Sequence, residues 1–132
     1  MLDHKTILLG VTGSVAAYKA IDIVKGLKEE GASVTVIMTE ASKRFITPLS
    51  LELASESPVH SDMWEHPLSH IRLPSSADLF LVAPATANTI GKFAGGLGDD
   101  LLSTAMLAFR GPVVLAPAMN WRMYESPAFQ EN

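Results

Sequence analysis

The chain has 132 residues with a formal net charge of −4, and 48% of its residues are hydrophobic. This length predicts one domain, and this composition excludes an intrinsically disordered chain. The negative charge argues against nucleic-acid binding, and no apolar run reaches the roughly 18 residues of a membrane span. The chain contains no cysteine, which excludes disulfides, thiolate metal sites and a cysteine nucleophile. We therefore expect a cytoplasmic protein that binds neither nucleic acid nor membranes.

Apolar, β-branched runs alternate with helix-like stretches along the chain. Strands are predicted at residues 6–11, 33–38, 79–83 and 113–116, and the runs at 6–11 and 79–83 are typical of buried strands. Helical spacing predicts a helix over residues 17–27, with Ser14 as its N-cap and Gly31 just beyond its end. Further helices are expected at residues 40–45, from Pro48 onward with Thr47 as its cap, at 86–93, and at 99–109 with Asp99 or Asp100 as its cap. Residues 56–76 are interpreted as a loop with short elements. This alternation predicts an α/β fold of three layers, Rossmann-like, with a parallel sheet and helices on both faces.

The residues that follow each predicted strand are the candidate site, because ligands of open α/β sheets bind beyond the carboxyl ends of the strands. These segments carry small residues, hydroxyls and carboxamides, and Glu40 is the one carboxylate among them. Such an edge suits a phosphate group. Gly10 and Gly13 lack the dinucleotide spacing, which favours a mononucleotide. The alternative is that Gly13 only permits a tight turn and that Ser14, Thr39 and Thr86 are plain caps.

Several polar residues elsewhere are ambiguous. Asn120 suits an oriented contact with a ligand carboxylate or carbonyl, but it is equally consistent with a turn asparagine. His70 lies just before the third predicted strand and is a candidate base, although a structural histidine is the alternative. His66 and His70 are four residues apart, but Pro67 intervenes and no HExxH glutamate is present, so no metal site is expected.

Two longer motifs resemble those of the flavin-dependent cysteine decarboxylases. Residues 84–89, Pro-Ala-Thr-Ala-Asn-Thr, are similar to the PASANT motif of this family, with Thr86 in place of serine. Residues 117–124 are similar to its P-x-M-N-x-x-M-W motif, with Tyr124 in place of tryptophan. Residues 13–19 and 70–73 also resemble the family. The resemblance implies the flavoprotein form of the predicted fold and FMN as the cofactor.

The resemblance also implies roles for individual residues. Gly13, Ser14 and Val15 would lie near the flavin, and Thr39 and Ser42 would lie toward its phosphate. The other cofactor-binding residues would be Phe45, Thr86, Ala87, Asn88, Thr89 and Ala118. The substrate site would contain His70 as catalytic base, Asn120 to hold the substrate carboxylate, and Met123.

The implied reaction is decarboxylation of 4′-phosphopantothenoylcysteine to 4′-phosphopantetheine in coenzyme A biosynthesis. FMN would oxidise the cysteinyl end to a thioaldehyde, carbon dioxide would leave, and the reduced flavin would return the electrons. Members of the family form homotrimers or homododecamers with FMN at a subunit contact, which fits the nearly all-apolar helix predicted at 99–109.

One departure from the family pattern concerns the carboxyl end. The family has a cysteine in a substrate-covering segment after the second motif, and this chain has none. We therefore expect residues 1–132 to form a single flavoprotein domain without that lid or the last elements of the family. Three functions stay open: the decarboxylase above, a related flavoprotein such as a peptidyl-cysteine decarboxylase or flavin prenyltransferase, and an FMN-binding module without full turnover.

Overall fold

Five parallel strands form one sheet in the computed structural model, which describes all 132 residues. The strands are β1 (Thr6–Val11), β2 (Ser33–Met38), β3 (Val59–His60), β4 (Leu79–Ala85) and β5 (Val113–Pro117). Their order is β3-β2-β1-β4-β5. The chain leaves β1 toward one edge and later returns to β4 on its other side, so a topological switch point lies between β1 and β4. The predicted parallel α/β sheet is confirmed.

Helices cover both faces of the sheet and complete three layers. The α-helices are α1 (Ala20–Glu29), α2 (Pro48–Ser55), α3 (Ser69–Ser75), α4 (Ala87–Gly95), α5 (Leu101–Ala108), α6 (Trp121–Tyr124) and α7 (Pro127–Glu131). One core cluster joins α1 and α2 to the sheet through residues such as Leu9, Val24 and Leu51. A second cluster joins α4 and α5 to the opposite face through residues such as Phe80 and Leu102. Alternate residues of each buried strand supply the two clusters.

Local capping signals were predicted correctly. The Ser14 Oγ accepts a hydrogen bond from the Ala16 N–H at 3.1 Å, and Gly31 has the positive φ of a helix-terminating glycine, +96°. Thr47 caps α2 with Pro48 at its first position. Asp100, rather than Asp99, caps α5.

Several elements differ from the sequence prediction, and three of the differences are informative. The helix expected at 17–27 begins as a 3-10 turn, Val15–Lys19, and becomes α-helical only from Ala20. A second 3-10 turn, Ala41–Arg44, replaces the helix expected at 40–45. The strand β3 was not predicted, because two residues carry no periodicity, and it is defined by its pairing with Val36 and Ile37 of β2.

Helix α5 packs closely on the sheet, as its apolar sequence predicts. Leu101, Leu102 and Ala105 are fully buried, whereas Leu107 is 46% exposed. The approach depends on Gly10, because a Cβ there would lie 2.6 Å from Leu102 Cδ1. None of the helices has the length and apolar character that crossing a bilayer requires.

Candidate functional site

A cavity of about 440 Å³ opens at the carboxyl edge of the sheet, beside the switch point. Its volume lies in the range of about 300–1,000 Å³ that small-molecule sites occupy. It gathers residues from the segments after β1, β2, β3 and β4. Seven of the predicted site residues line it: Gly13, Thr39, Thr86, Ala87, Asn88, Thr89 and Met123. The loops predicted to share one rim of the sheet therefore do so.

Thr12 joins the two sides of the switch point. Its buried hydroxyl donates to the Pro84 carbonyl at 2.6 Å and accepts from the Thr86 N–H at 3.0 Å. These two bonds hold the loop after β4 against the end of β1. The sequence analysis did not select Thr12 as a site residue. A polar side chain that ends a fully apolar strand must find a buried partner, and that signal could have identified it.

Gly13 is required by close packing rather than by its backbone conformation. A Cβ at this position would lie 2.5 Å from Ala41 Cβ and 3.2 Å from the Ala41 carbonyl carbon. Gly13 lies in a tight turn, in which the Ser14 N–H donates to the Thr12 carbonyl at 2.9 Å, but it is not among the glycines with positive φ. The absence of a side chain lets the turn after β2 approach the end of β1, and this contact shapes one wall of the cavity.

The turn after β2 is held by hydrogen bonds between its own residues. The Ser42 hydroxyl donates to the Thr39 carbonyl at 2.6 Å, and the Ser42 N–H donates to Thr39 Oγ1 at 3.3 Å. Ser42 is fully buried and does not line the cavity, whereas the half-buried Thr39 does. Ser42 therefore supports the position of Thr39, and it reaches a ligand only if the turn moves.

The loop after β4 forms the amino end of α4. Thr86 Oγ1 accepts from the Thr89 N–H at 3.2 Å and donates to Thr89 Oγ1 at 3.1 Å. Thr89 is buried and Asn88 is exposed at the cavity. Thr86 is thus a helix cap, as the alternative interpretation proposed, and it also lines the cavity. The free N–H groups of the first turn of α4 suit an anionic ligand group.

The lining is not as uncharged as the sequence analysis expected. Lys92 from α4 and Asp100 from the start of α5 line the cavity together with Glu40. Lys92 Nζ lies 2.9 Å from Asp99 Oδ1, and this hydrogen bond raises the pKa of Lys92 and lowers the pKa of Asp99. These helix residues were missed because only the packing of α4 and α5 brings them to the rim. The other lining residues not predicted are Met38, Ala41 and Ser61.

His70 lies outside the cavity lining. It is the second residue of α3, and its side chain is half-buried. Its Nδ1 atom is fully buried and has no hydrogen-bond partner. An unpaired buried imidazole nitrogen is costly, so the Nδ1 atom of His70 remains available for a hydrogen bond with a ligand or a further residue.

Asn120 also lies outside the lining, in the exposed segment after β5. Its Oδ1 accepts from the Arg122 N–H at 2.9 Å and caps the short helix α6. The turn interpretation of Asn120 is thus correct for its oxygen, and its amide group remains exposed. Ala118 N–H donates to the Ala85 carbonyl at 3.1 Å and ties this segment to β4. This segment contains two methionines: Met119 packs against the core, and Met123 is 51% exposed at the cavity.

Large apolar side chains stand exposed beside the cavity loops. Val15 is 75% exposed and Phe45 is 48% exposed, and neither lines the cavity. Tyr18, Leu49 and Leu53 are exposed in the same two chain segments, 15–19 and 45–53. Side chains of this kind contact a flat apolar ligand or a second protein surface in many proteins.

Comparison with known proteins gives consistent matches. The Flavoprotein family profile matches residues 1–132. The chain is 49% identical to the coenzyme A biosynthesis bifunctional protein CoaBC of Vibrio vulnificus over 99% of its length, which is 34% of that relative. It is 46% identical to a Streptococcus mutans protein named "Probable phosphopantothenoylcysteine decarboxylase", covering 97% of this chain and 75% of the relative. The chain therefore spans about a third of the CoaBC relatives.

A solved structure gives the same match at the level of the fold. The FMN-dependent cysteine decarboxylase SpaF superposes with a TM-score of 0.93 at 30% identity, covering 99% of this chain and 78% of that one.

Proposed function

The chain belongs to the flavoprotein family, and from that premise we propose that it binds FMN and decarboxylates 4′-phosphopantothenoylcysteine to 4′-phosphopantetheine. The observation that carries the proposal is the cavity, because residues of the Pro84 to Thr89 motif and Met123 of the second motif meet there with Gly13 and Thr39. The names of the relatives from Vibrio vulnificus and Streptococcus mutans support the same substrate.

The residues present fit FMN. Gly13 lets Ala41 pack directly against the end of β1, and both residues line the cavity, so this wall offers a ligand backbone atoms and a small side chain rather than bulk. The Thr39 and Thr86 hydroxyls and the first turn of α4 offer hydrogen bonds to a phosphate and a polyol chain. The neighbouring Val15 and Phe45 offer apolar surface to a flat ring system. We propose the cofactor-binding residues named in the sequence analysis, with Ser42 acting through Thr39.

When bound, FMN would supply a two-electron oxidation of the substrate thiol and return both electrons after carbon dioxide has left. The protein's own part is orientation and proton handling. His70 has an unpaired imidazole nitrogen, and we propose that it takes the proton released when the thiol is oxidised. The exposed amide of Asn120 would donate to the substrate carboxylate while its oxygen keeps α6 capped. Met123, at the mouth of the cavity, would contact the substrate chain.

Assembly of several copies is part of the proposal. His70 does not line the cavity of its own chain, and exposed apolar residues flank that cavity. A homotrimer or homododecamer with FMN at the contact between copies would bury those residues and bring further groups to the site. We also propose that residues 1–132 act as one flavoprotein domain of a cytoplasmic enzyme.

The test is an anaerobic incubation of the FMN-loaded chain with 4′-phosphopantothenoylcysteine, followed by mass spectrometry. Loss of carbon dioxide from the substrate is expected. His70→Asn should keep bound flavin and lower the rate by about 10²–10⁴-fold, the usual contribution of a general base. Turnover of a peptide with a C-terminal cysteine instead would assign the chain to the peptidyl-cysteine branch. Bound FMN with no product from either substrate would leave only an FMN-binding module.

A further inference from the structure

Lys92 is the one cationic side chain in the cavity lining. It lies in the second turn of α4, on the same helix face as Asn88 and Thr89, and its side chain is only 20% exposed. Nζ lies 2.9 Å from Asp99 Oδ1 and 3.7 Å from Asp100 Oδ2. None of the sequence motifs includes this residue, and the proposed chemistry does not use it.

The position of Lys92 is fixed by the fold. Asp100 caps α5 through a hydrogen bond from the Ser103 N–H at 2.8 Å, and its own N–H donates to Ser103 Oγ at 3.2 Å. A capping box of this kind holds the Asp100 carboxylate in one place. Because the ammonium group is hydrogen-bonded to Asp99, its pKa is raised and it stays charged at neutral pH.

The charges around the cavity are arranged in pairs. Glu40 is paired with Lys43 at 2.7 Å on the β2 side, and Asp99 and Asp100 share Lys92 on the α4 side. Lys43 is outside the lining, so only Lys92 presents positive charge to the cavity itself. Without Lys92, the Asp100 carboxylate in the lining and the Asp99 carboxylate beside it would have no counter-charge. Their field would repel a ligand phosphate and leave an uncharged ligand almost unaffected.

We propose that Lys92 is a specificity-determining residue whose charge makes the cavity prefer a phosphorylated flavin over the same flavin without its phosphate. This inference rests on the proposed binding of FMN. It assigns the preference to the charge on α4 in addition to the backbone N–H groups and hydroxyls of the loops. Since it acts through charge, it predicts a dependence on ionic strength that a purely structural ion pair would not give.

The experiment compares the dissociation constants of FMN and riboflavin for the full chain by quenching of flavin fluorescence. Lys92→Gln should weaken FMN binding about tenfold more than riboflavin binding at low salt, and less so at high salt. Lys92→Arg should restore the preference because it keeps the charge. The double variant Lys92→Gln with Asp99→Asn should restore much of it, because one negative charge is removed with the positive one. Lys25→Gln, an equal change of net charge on the exposed side of α1, is the matched control.

Equal weakening of both flavins by Lys92→Gln would overturn the inference, since Lys92 would then only brace α4 against α5. Failure of the double variant to recover the FMN preference, with both variants showing a wild-type circular dichroism spectrum, would overturn it as well. If the wild-type chain binds FMN and riboflavin equally, the inference fails while the proposed function stands. If the wild-type chain binds neither flavin, the proposed function fails and the inference falls with it.

Discussion

The two halves of the candidate site differ in how firmly the fold holds them. The loops after β1, β2 and β4 are anchored by buried polar residues, Thr12, Ser42 and Thr89, whose hydrogen bonds stay within these loops. The segment after β5, which carries Asn120 and Met123, has no buried residue in α6 or α7. The proposed cofactor side is thus preorganised by the folded chain, whereas the proposed substrate side is exposed and has fewer buried anchors.

The largest expected effect comes from filling the space beside Gly13. Gly13→Val places side-chain atoms against Ala41, so the turn after β2 must move and the cavity wall is lost. We expect FMN affinity to fall by about 100-fold, because a change of this size corresponds to the free-energy cost of severe overpacking. Titration of flavin fluorescence measures this. Gly26→Ala is the control, because nothing lies within 4 Å of a Cβ there, and it should leave FMN binding unchanged.

A second prediction tests whether Thr12 anchors the proposed cofactor side. Thr12→Val removes the partner of both the Pro84 carbonyl and the Thr86 N–H while keeping nearly the same volume. The free energy of unfolding should fall by about 2–3 kcal/mol, the cost of leaving buried polar groups unpaired. Urea unfolding measures it. Thr35→Val, at a half-buried position of β2 outside the cavity, is the matched control. Equal effects of the two substitutions would contradict the anchoring role.

The exposed side of the site should respond weakly in stability. Asn120→Ala removes the cap of a four-residue helix that buries none of its residues. The free energy of unfolding should fall by no more than about 1 kcal/mol, and FMN affinity should not change. A loss of FMN affinity comparable to that of Gly13→Val would show that both halves of the site are equally involved in cofactor binding.

Sequence patterns were sufficient wherever one residue or one element decides the structure. The strands β1 and β2 were predicted to the residue, β1 from an apolar run and β2 from a short β-branched run. Caps such as Thr47 and Thr86 act within one helical turn. The contacts that shape the cavity are different in kind. Lys92 and Asp100 reach the rim only through the packing of α4 and α5, and Gly13 is needed only because Ala41 approaches it from another segment. No local pattern carries that information.

The same reasoning explains the outcome for two residues assigned by resemblance. Ser42 follows Thr39 by one turn, and sequence spacing could not reveal that its hydroxyl is bonded to the Thr39 carbonyl. His70 was assigned as the catalytic base, and its Nδ1 has no hydrogen-bond partner, yet its helix α3 lies outside the cavity lining. Placement of a side chain relative to a cavity depends on tertiary packing, which the order of residues does not display.

The smallest expected effect is a pH dependence at the edge of the sheet. Burial lowers the pKa of His60 and the nearby His66 lowers it further, while Glu65 raises it. The unfolded chain therefore binds a proton on His60 more readily, and stability should decline as pH falls below the ordinary histidine pKa of about 6.5. His60→Gln should make the drop in Tm between about pH 7.5 and 5.5 smaller. An unchanged drop would show that other groups cause it.

The most direct measurement of the central claim is the binding stoichiometry of FMN for the purified full chain. The account predicts a yellow protein that holds one FMN per chain, with the flavin fluorescence quenched, and a Gly13→Val variant that is folded and colourless. A wild-type chain that is colourless and leaves the fluorescence of added FMN unchanged would contradict it.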